Sequence, residues 1–329
     1  MIGAADLGRA LAPWLTPRAA LACLGASAVP AIARVTRPAP AAPPPAAAPI
    51  WLWCAGQPVP RAPLERALGG PAVAAAEHLG LVELTATLAT PRLRLAPVGL
   101  GLVVCDRPGL EPDRVPWPDD SSLHLVGALG GARPDRWLDV GTGPATAPLA
   151  LGRRGTAVRA TDRAPRALAL ARLGLALAGR DDVAVAEVDG VATADGPWDL
   201  ITLNAPIPRE RADGAPATAW HVADDGAALL ATLWARAAGL VTPAGAVVVH
   251  AVDADDDRYG PPAALGGALT VARYTPVDAP AFAIYRWRPH APASRRRGAV
   301  ALGPGHPFVT AADLDAIAAA DDRAGSDLR

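Results

Sequence analysis

At 329 residues the chain has room for one large domain or two ordinary ones. Its hydrophobic content of 51% is ample for a buried core. A net charge of −1 excludes a global field that would gather nucleic acid or an anionic membrane.

All 31 basic residues are arginine, and there is a single asparagine, Asn204, and a single glutamine, Gln57. Cys23, Cys54 and Cys105 lack metal-binding spacing and leave one thiol over. That favours a reducing, cytoplasmic setting over a disulfide framework. Residues 19–33 are mostly apolar but too short to span a membrane, and they contain Pro30. The mixed charges before them, Asp6 and Arg9 to Arg18, favour a helix over a signal peptide.

In chain order, residues 1–36 read as helices broken at Pro13, Pro17 and Pro30. Residues 37–50, rich in Pro and Ala, read as an extended linker. Residues 51–115 then give helical patterns at 64–68 and 72–79 and strand-like runs at 79–84, 92–95 and 102–105. Two helices and a two-stranded ribbon predict a winged-helix-like accessory unit. The helix at 72–79 carries Glu77 and His78 but no arginine, so a packing or substrate-contacting role is favoured over DNA binding. Residues 119–129 predict a helix capped by Asp120 or Ser121.

The stretch 136–208 organises the rest. Arg136 to Val140 is a short strand pattern that runs into Gly141-Thr142-Gly143-Pro144-Ala145 and then a helical pattern. Strand, glycine turn and helix hold a nucleotide-like ligand at the carboxyl end of a parallel strand. Gly141 and Gly143 suit close backbone approach and positive φ. A second strand, 157–161, ends in Asp162, 23 residues after Asp139, where an acid suits a ribose diol. A helix follows over 164–178, with Pro165 in its first turn. Strands at 183–188 and 198–203 end at Asp189-Gly190 and at Asn204-Ala205-Pro206-Ile207-Pro208. The third position of a dinucleotide G-x-G-x-x-G fingerprint is Thr146, so a dinucleotide is weakly supported.

Asp139-x-Gly141-x-Gly143, Asp162, Asp189 and Asn204-x-Pro206 together resemble a class I S-adenosylmethionine-dependent methyltransferase. More narrowly, Leu203 to Pro206 resembles the N-P-P-Y, or HemK-like, group of glutamine N5- and base-amino methyltransferases. The resemblance covers roughly residues 121–288. It implies a Rossmann-like α/β fold, a mostly parallel sheet closed by an antiparallel hairpin. It implies S-adenosylmethionine as cofactor, met by Asp139, Gly141, Thr142, Gly143, Asp162, Arg163, Asp189, Gly190 and Asn204. The catalytic group is then Asn204, Ala205, Pro206 and Ile207, and Ser121 or His124 faces the ligand from the preceding helix. Two positions depart from the pattern: Ala145 replaces a glycine, and Ile207 replaces the expected aromatic, which leaves the acceptor open. The domain reading is 1–118 accessory, 119–290 methyltransferase and 291–329 a C-terminal extension.

Beyond Asn204, residues 209–218 read as a polar loop, and 224–240 as a helix with Leu229, Leu230, Leu233 and Ala237 on its apolar face. A turn at 243–245 precedes a buried strand at 246–252, which ends near His250, read as a satisfied core histidine. Strands at 269–274 and 282–287 form the terminal hairpin. Arg295, Arg296 and Arg297 read as a solvated loop cluster. Thr310 with Asp313 predicts a capping box opening a last helix.

A delocalised amide or arylamine nitrogen is a weak nucleophile. Acceptors for its N–H groups hold it in line with an activated methyl donor. The Asn204 oxygen and the Ala205 carbonyl are two such acceptors, and Pro206 restricts Ala205 to extended backbone. Trp220 could supply a planar face and His221 a base. The leading expectation is an S-adenosylmethionine-dependent N-methyltransferase acting on a protein side chain or small molecule. Rivals are a small-molecule N- or O-methyltransferase, a non-catalytic S-adenosylmethionine binder and, last, a dinucleotide oxidoreductase.

Overall fold

The computed structural model describes residues 2–109, 113–153, 155–191, 195–206, 226–253, 259–276 and 281–320. They divide into two compact units, residues 1–120 with 142–187, and residues 121–141 with 188–329.

In chain order the elements are α1 (Ala4–Leu11), α2 (Pro17–Leu24), β1 (Val59–Pro60), α3 (Arg61–Leu68), α4 (Gly70–His78), β2 (Val82–Leu84), β3 (Leu88–Pro91), β4 (Leu93–Val98) and β5 (Gly101–Asp106). There follow α5 (Asp120–Ala128), β6 (Arg136–Val140), α6 (Thr146–Leu151), β7 (Ala157–Asp162), α7 (Pro165–Leu177), β8 (Val183–Glu187) and β9 (Trp198–Asn204). The last are α8 (Ala227–Leu240), β10 (Val241–Val252), β11 (Ala268–Tyr274), β12 (Phe282–Arg288), β13 (Ser294–Ala299) and α9 (Ala311–Ala319). Strand and helix alternate from β6 to β8 and again from β9 to β10, the pattern of a Rossmann-like α/β fold.

The first unit starts from local signals. Thr16 caps α2 by accepting the Ala19 N–H at 3.1 Å, Pro17 fills the first helical position, and Gly25 ends the helix at φ 64. Strands β1, β3 and β2 form an antiparallel sheet in that order, and β4 and β5 form a separate antiparallel hairpin. Helix α1 lies against α7 at Gly8, where an added Cβ would stand 1.8 Å from the Leu177 carbonyl oxygen. Any side chain there would drive the helices apart. The residues expected to form an extended linker are instead partly packed: Pro45–Ala47 make a 3-10 turn, and Ala48 and Ile50 are buried. Their apolar side chains gain more from burial than an open chain would from its freedom. In the same unit β7 and β8 pair in parallel, with α7 as their crossover.

In the second unit the strands run β13, β11, β12, β10, β9, β6 across the sheet. β6, β9 and β10 are mutually parallel. β12 is antiparallel to both β10 and β11, which is the predicted terminal hairpin. The predicted turn at 243–245 lies within β10, as a register shift between Val241 and Ala246. The arginine cluster is not on a loop. Arg295, Arg296 and Arg297 lie in β13, which adds a parallel edge strand to β11 and extends the sheet beyond residue 290. Arginine on an edge strand also discourages edge-to-edge pairing. The core between α8 and the sheet is built on Leu230, Leu233, Trp234 and Ala237 against Val247, Val249, Tyr285 and Trp287. The Trp234 and Trp287 rings meet edge to face at 5.9 Å. Thr310 and Asp313 form the predicted capping box of α9.

Candidate functional site

The glycine turn adopts the backbone its sequence asks for. Gly141 has φ 59 and Gly143 φ 56. Ala145, where a glycine was expected, also has φ 60, so it holds a left-handed conformation with a Cβ present. Within the first unit, the Thr142 N–H donates to the Thr161 carbonyl at 2.8 Å, and the Gly143 N–H donates to Asp162 Oδ2 at 2.8 Å. The other carboxylate oxygen accepts the Ala164 N–H at 2.8 Å. Asp162 therefore laces the turn to the tip of β7. It is 7% exposed. Burial raises its pKa from the ordinary carboxylate value, against the opposing pull of the backbone donors at Ala164 and Gly143. A Cβ added to Gly143 would meet nothing within 4 Å, so the turn faces open space there. Arg163 is exposed.

In the second unit Asp139 is 3% exposed and lies opposite Thr202 in the β6–β9 register. The Trp137 indole N–H donates to Thr202 Oγ1 at 2.7 Å, and Thr202 Oγ1 donates to Asp139 Oδ1 at 2.5 Å. The carboxylate orientation is thereby set by a neighbouring strand. Asp189 is exposed. Gly190 has φ 58, and a Cβ there would stand 2.8 Å from Leu229 Cδ1 of α8.

Asn204 ends β9 inside a side-chain network. Its Nδ2 donates to Ser121 Oγ at 3.0 Å and lies 3.4 Å from Ser122 Oγ, both on α5. Its Oδ1 is 2.9 Å from His250 Nδ1 of β10. The other imidazole nitrogen, Nε2, is 2.8 Å from the Tyr274 hydroxyl of β11. His250 is 0% exposed, and burial pushes its pKa down to about 3, so the ring is neutral at ordinary pH. It stacks on Phe282 at 5.4 Å, while His124 stacks on Tyr274 at 3.8 Å. His124 Nδ1 accepts the Val309 N–H at 2.9 Å. The Ala205 N–H donates to the His250 carbonyl at 2.8 Å, carrying the parallel ladder one residue past Asn204. Pro206 follows, half-buried. Ile207, the polar loop at 209–218, Trp220 and His221 lie outside the described residues.

The structure thus groups Gly143 with Asp162, Asp139 with Thr202, and Asn204 with Ser121. His250 is a satisfied core histidine, as expected. Its link to Asn204 was missed, although pairing the parallel strands β9 and β10 at their ends puts His250 opposite Asn204. Tyr274 and Thr202 were missed because nothing local marks them. Among the described residues no cluster of three His, Cys, Asp or Glu could hold a metal ion. No described helix is long and apolar enough to cross a membrane.

The chain is 37% identical over 152 residues to the release factor glutamine methyltransferase of Deinococcus radiodurans, a match covering 41% of this chain and 53% of the relative. The chain thus spans about half the length of that relative. No protein-family model matches. Among solved structures, a SAM-dependent methyltransferase from Agrobacterium tumefaciens aligns with 14% identity and a TM-score of 0.42, covering 60% of this chain and 70% of the other. A ribosomal protein L11 methylase from Lactobacillus delbrueckii aligns with 19% identity and a TM-score of 0.37, covering 51% and 77%.

Proposed function

We propose that this chain is an S-adenosylmethionine-dependent methyltransferase that methylates a side-chain amide nitrogen of a protein. A release-factor glutamine is the first acceptor to test. The observation that carries the reading is the Asn204 amide at the end of a parallel strand, held at both ends by side chains, in a chain similar to a glutamine methyltransferase.

The donor is assigned to Asp139, Gly141, Thr142, Gly143, Asp162, Arg163, Asp189 and Gly190. What supports this is a glycine turn that faces open space at Gly143 and a buried carboxylate at the tip of β7. S-Adenosylmethionine, when bound, supplies a sulfonium-activated methyl group. The protein's part is alignment. Asn204 Oδ1 has two lone pairs, one directed to His250, and the second accepts an N–H of the acceptor amide. The Ala205 carbonyl accepts the other, and Pro206 limits how Ala205 can turn. Held this way, the nitrogen would present its lone pair in line with the S–CH3 bond, so that the N–C bond would form as the S–C bond breaks, the electron pair leaving with sulfur as a neutral thioether and one nitrogen proton passing to solvent. The accessory segment before residue 119 is assigned to acceptor contact, and the reaction to the cytoplasm, in keeping with three unpaired thiols among the described residues.

The direct test is incubation of the protein with methyl-labelled donor and a bacterial peptide release factor. Label in the release factor, recovered as methylamine after acid hydrolysis, marks methylation on an amide nitrogen. Turnover only with small-molecule acceptors would favour the second reading, a small-molecule N- or O-methyltransferase, for which Ile207 in place of an aromatic speaks. Calorimetric binding of S-adenosylmethionine without any turnover would leave a non-catalytic binder.

A further inference from the structure

An asparagine amide is nearly symmetric in shape but opposite in chemistry at its two ends. If Asn204 is to accept an N–H from the methyl acceptor, its oxygen must be presented and its NH2 group turned away. Otherwise donor would face donor. Nothing in the backbone at the end of β9 decides between the two rotations. The side chains around it do.

We propose that His250 is the positioning residue of Asn204, and that the Tyr274–His250 pair decides which end of the Asn204 amide meets the methyl acceptor. The inference rests on the amide-methylation reading above. A neutral imidazole has one donor and one acceptor nitrogen. An amide oxygen only accepts, so the ring proton sits on Nδ1 facing Asn204 Oδ1, and Nε2 accepts from the Tyr274 hydroxyl at 2.8 Å. Nδ1–H then donates to Asn204 Oδ1 across 2.9 Å. The NH2 group is left to Ser121 Oγ at 3.0 Å. Every member of the chain is used in one direction: tyrosine to histidine, histidine to asparagine, asparagine to serine. Phe282 stacked on one side of His250 restrains rotation of its ring. The ring is fully buried in the β10–β12 region of the sheet, so no water competes for either nitrogen.

His250 touches no reacting atom in this scheme; it acts through Asn204. Its test therefore needs a readout that mere packing would not move. Asn204 is the single asparagine of the chain, so selective 15N-asparagine labelling gives one side-chain amide signal. Selective 15N-histidine labelling, with the His250 signals assigned by loss in a variant, reads the ring tautomer. The expected result is the Nδ1–H tautomer for His250, and an Asn204 side-chain signal that shifts in His250→Leu. The Nε2–H tautomer, or an Asn204 signal unchanged in a folded His250→Leu, would overturn the proposal.

The kinetic arm uses methyl-labelled donor and release factor as acceptor. His250→Leu should lower kcat by about 10-fold or more, the scale of a misplaced aligning group, with donor affinity unchanged. His250→Asn places an amide N–H where Nδ1 was and should restore most of the rate. Equal loss in both variants, or a loss carried by donor affinity, would reduce His250 to a packing role and overturn the proposal. If the wild-type protein transfers no methyl group to any acceptor, the functional reading fails by itself. The two labelling results still decide whether His250 orients Asn204.

Discussion

Asp162 ends β7 and Asn204 ends β9, and the two corners are held by opposite means. Both oxygens of Asp162 accept backbone N–H groups, from Gly143 and Ala164. Those partners are 19 and 2 residues away in sequence. Both ends of Asn204 are held by side chains on other elements, Ser121 of α5 and His250 of β10, 83 and 46 residues away. The first corner is built by its own stretch of chain. The second exists only once the sheet has assembled. A corner of the first kind suits a ligand gripped in the same way each time. A corner of the second kind can be tuned through residues that never touch the ligand.

The comparison breaks most visibly at Asn204. Asn204→Ala removes the acceptor proposed for the substrate N–H, and should lower kcat by about 10²-fold or more. Donor affinity, measured by calorimetry, should hardly change. Asn204→Asp keeps an acceptor oxygen and should be the milder variant. If both turn over normally, the strand-end amide is only structural, and the contrast between the corners loses its functional meaning.

Asp162 should show the reverse pattern. Asp162→Ala should weaken S-adenosylmethionine binding by about 1.5–3 kcal/mol, the scale of a hydrogen bond to a charged group. It should also lower stability, because the N–H groups of Gly143 and Ala164 lose their acceptor. Unchanged donor affinity in a folded variant would remove Asp162 from the donor site.

Acid should separate the corners further. His250 has a folded pKa of about 3, depressed from 6.5 by burial, so the unfolded chain binds the extra proton first. Its contribution to stability is complete above pH 6.5. It is lost as pH falls toward 3, by at most about 1.4 kcal/mol per pH unit. Urea unfolding at pH 6.5, 5.5 and 4.5 should show this slope in the wild type and a shallower one in His250→Leu. Parallel slopes would mean that the ring is not held neutral.

These two corners also mark how far the sequence could be read. The glycine turn, the acid after β7 and the strand-helix alternation are local patterns, and the structure reproduces them nearly residue for residue. Asn204 stood out because it is the single asparagine and because Asn204-x-Pro206 follows a strand pattern, not because its partners were visible. His250 read as an ordinary core histidine because its meaning depends on strand order, which periodicity does not supply. Tyr274 lies two strands further on in the sheet, and it comes near His250 only because β12 pairs with both β10 and β11. The arginines of β13 read as a loop because an edge strand can be polar on both faces, which hides its period.

The smallest expected effect tests the one place where the locally built corner departs from its pattern. Ala145 holds φ 60 and is fully buried. Ala145→Gly should relieve about 1–2 kcal/mol of left-handed strain. Against that stand the lost methyl burial, about 0.8 kcal/mol, and the greater freedom of glycine in the unfolded chain, about 0.4–1 kcal/mol. The net change should therefore be under about 1 kcal/mol, small enough to need a control. Ala150→Gly supplies one: Ala150 is 2% exposed, lies in α6, and loses the same methyl group with no strain to relieve. The chain-entropy cost is of similar size in both variants, about 1 kcal/mol for glycine in a helix. Subtracting the two denaturant midpoints at constant slope isolates the strain, and Ala145→Gly should be the more stable by about 1–2 kcal/mol. Equal losses at the two positions would mean that Ala145 carries no strain, and that the missing glycine costs the turn nothing.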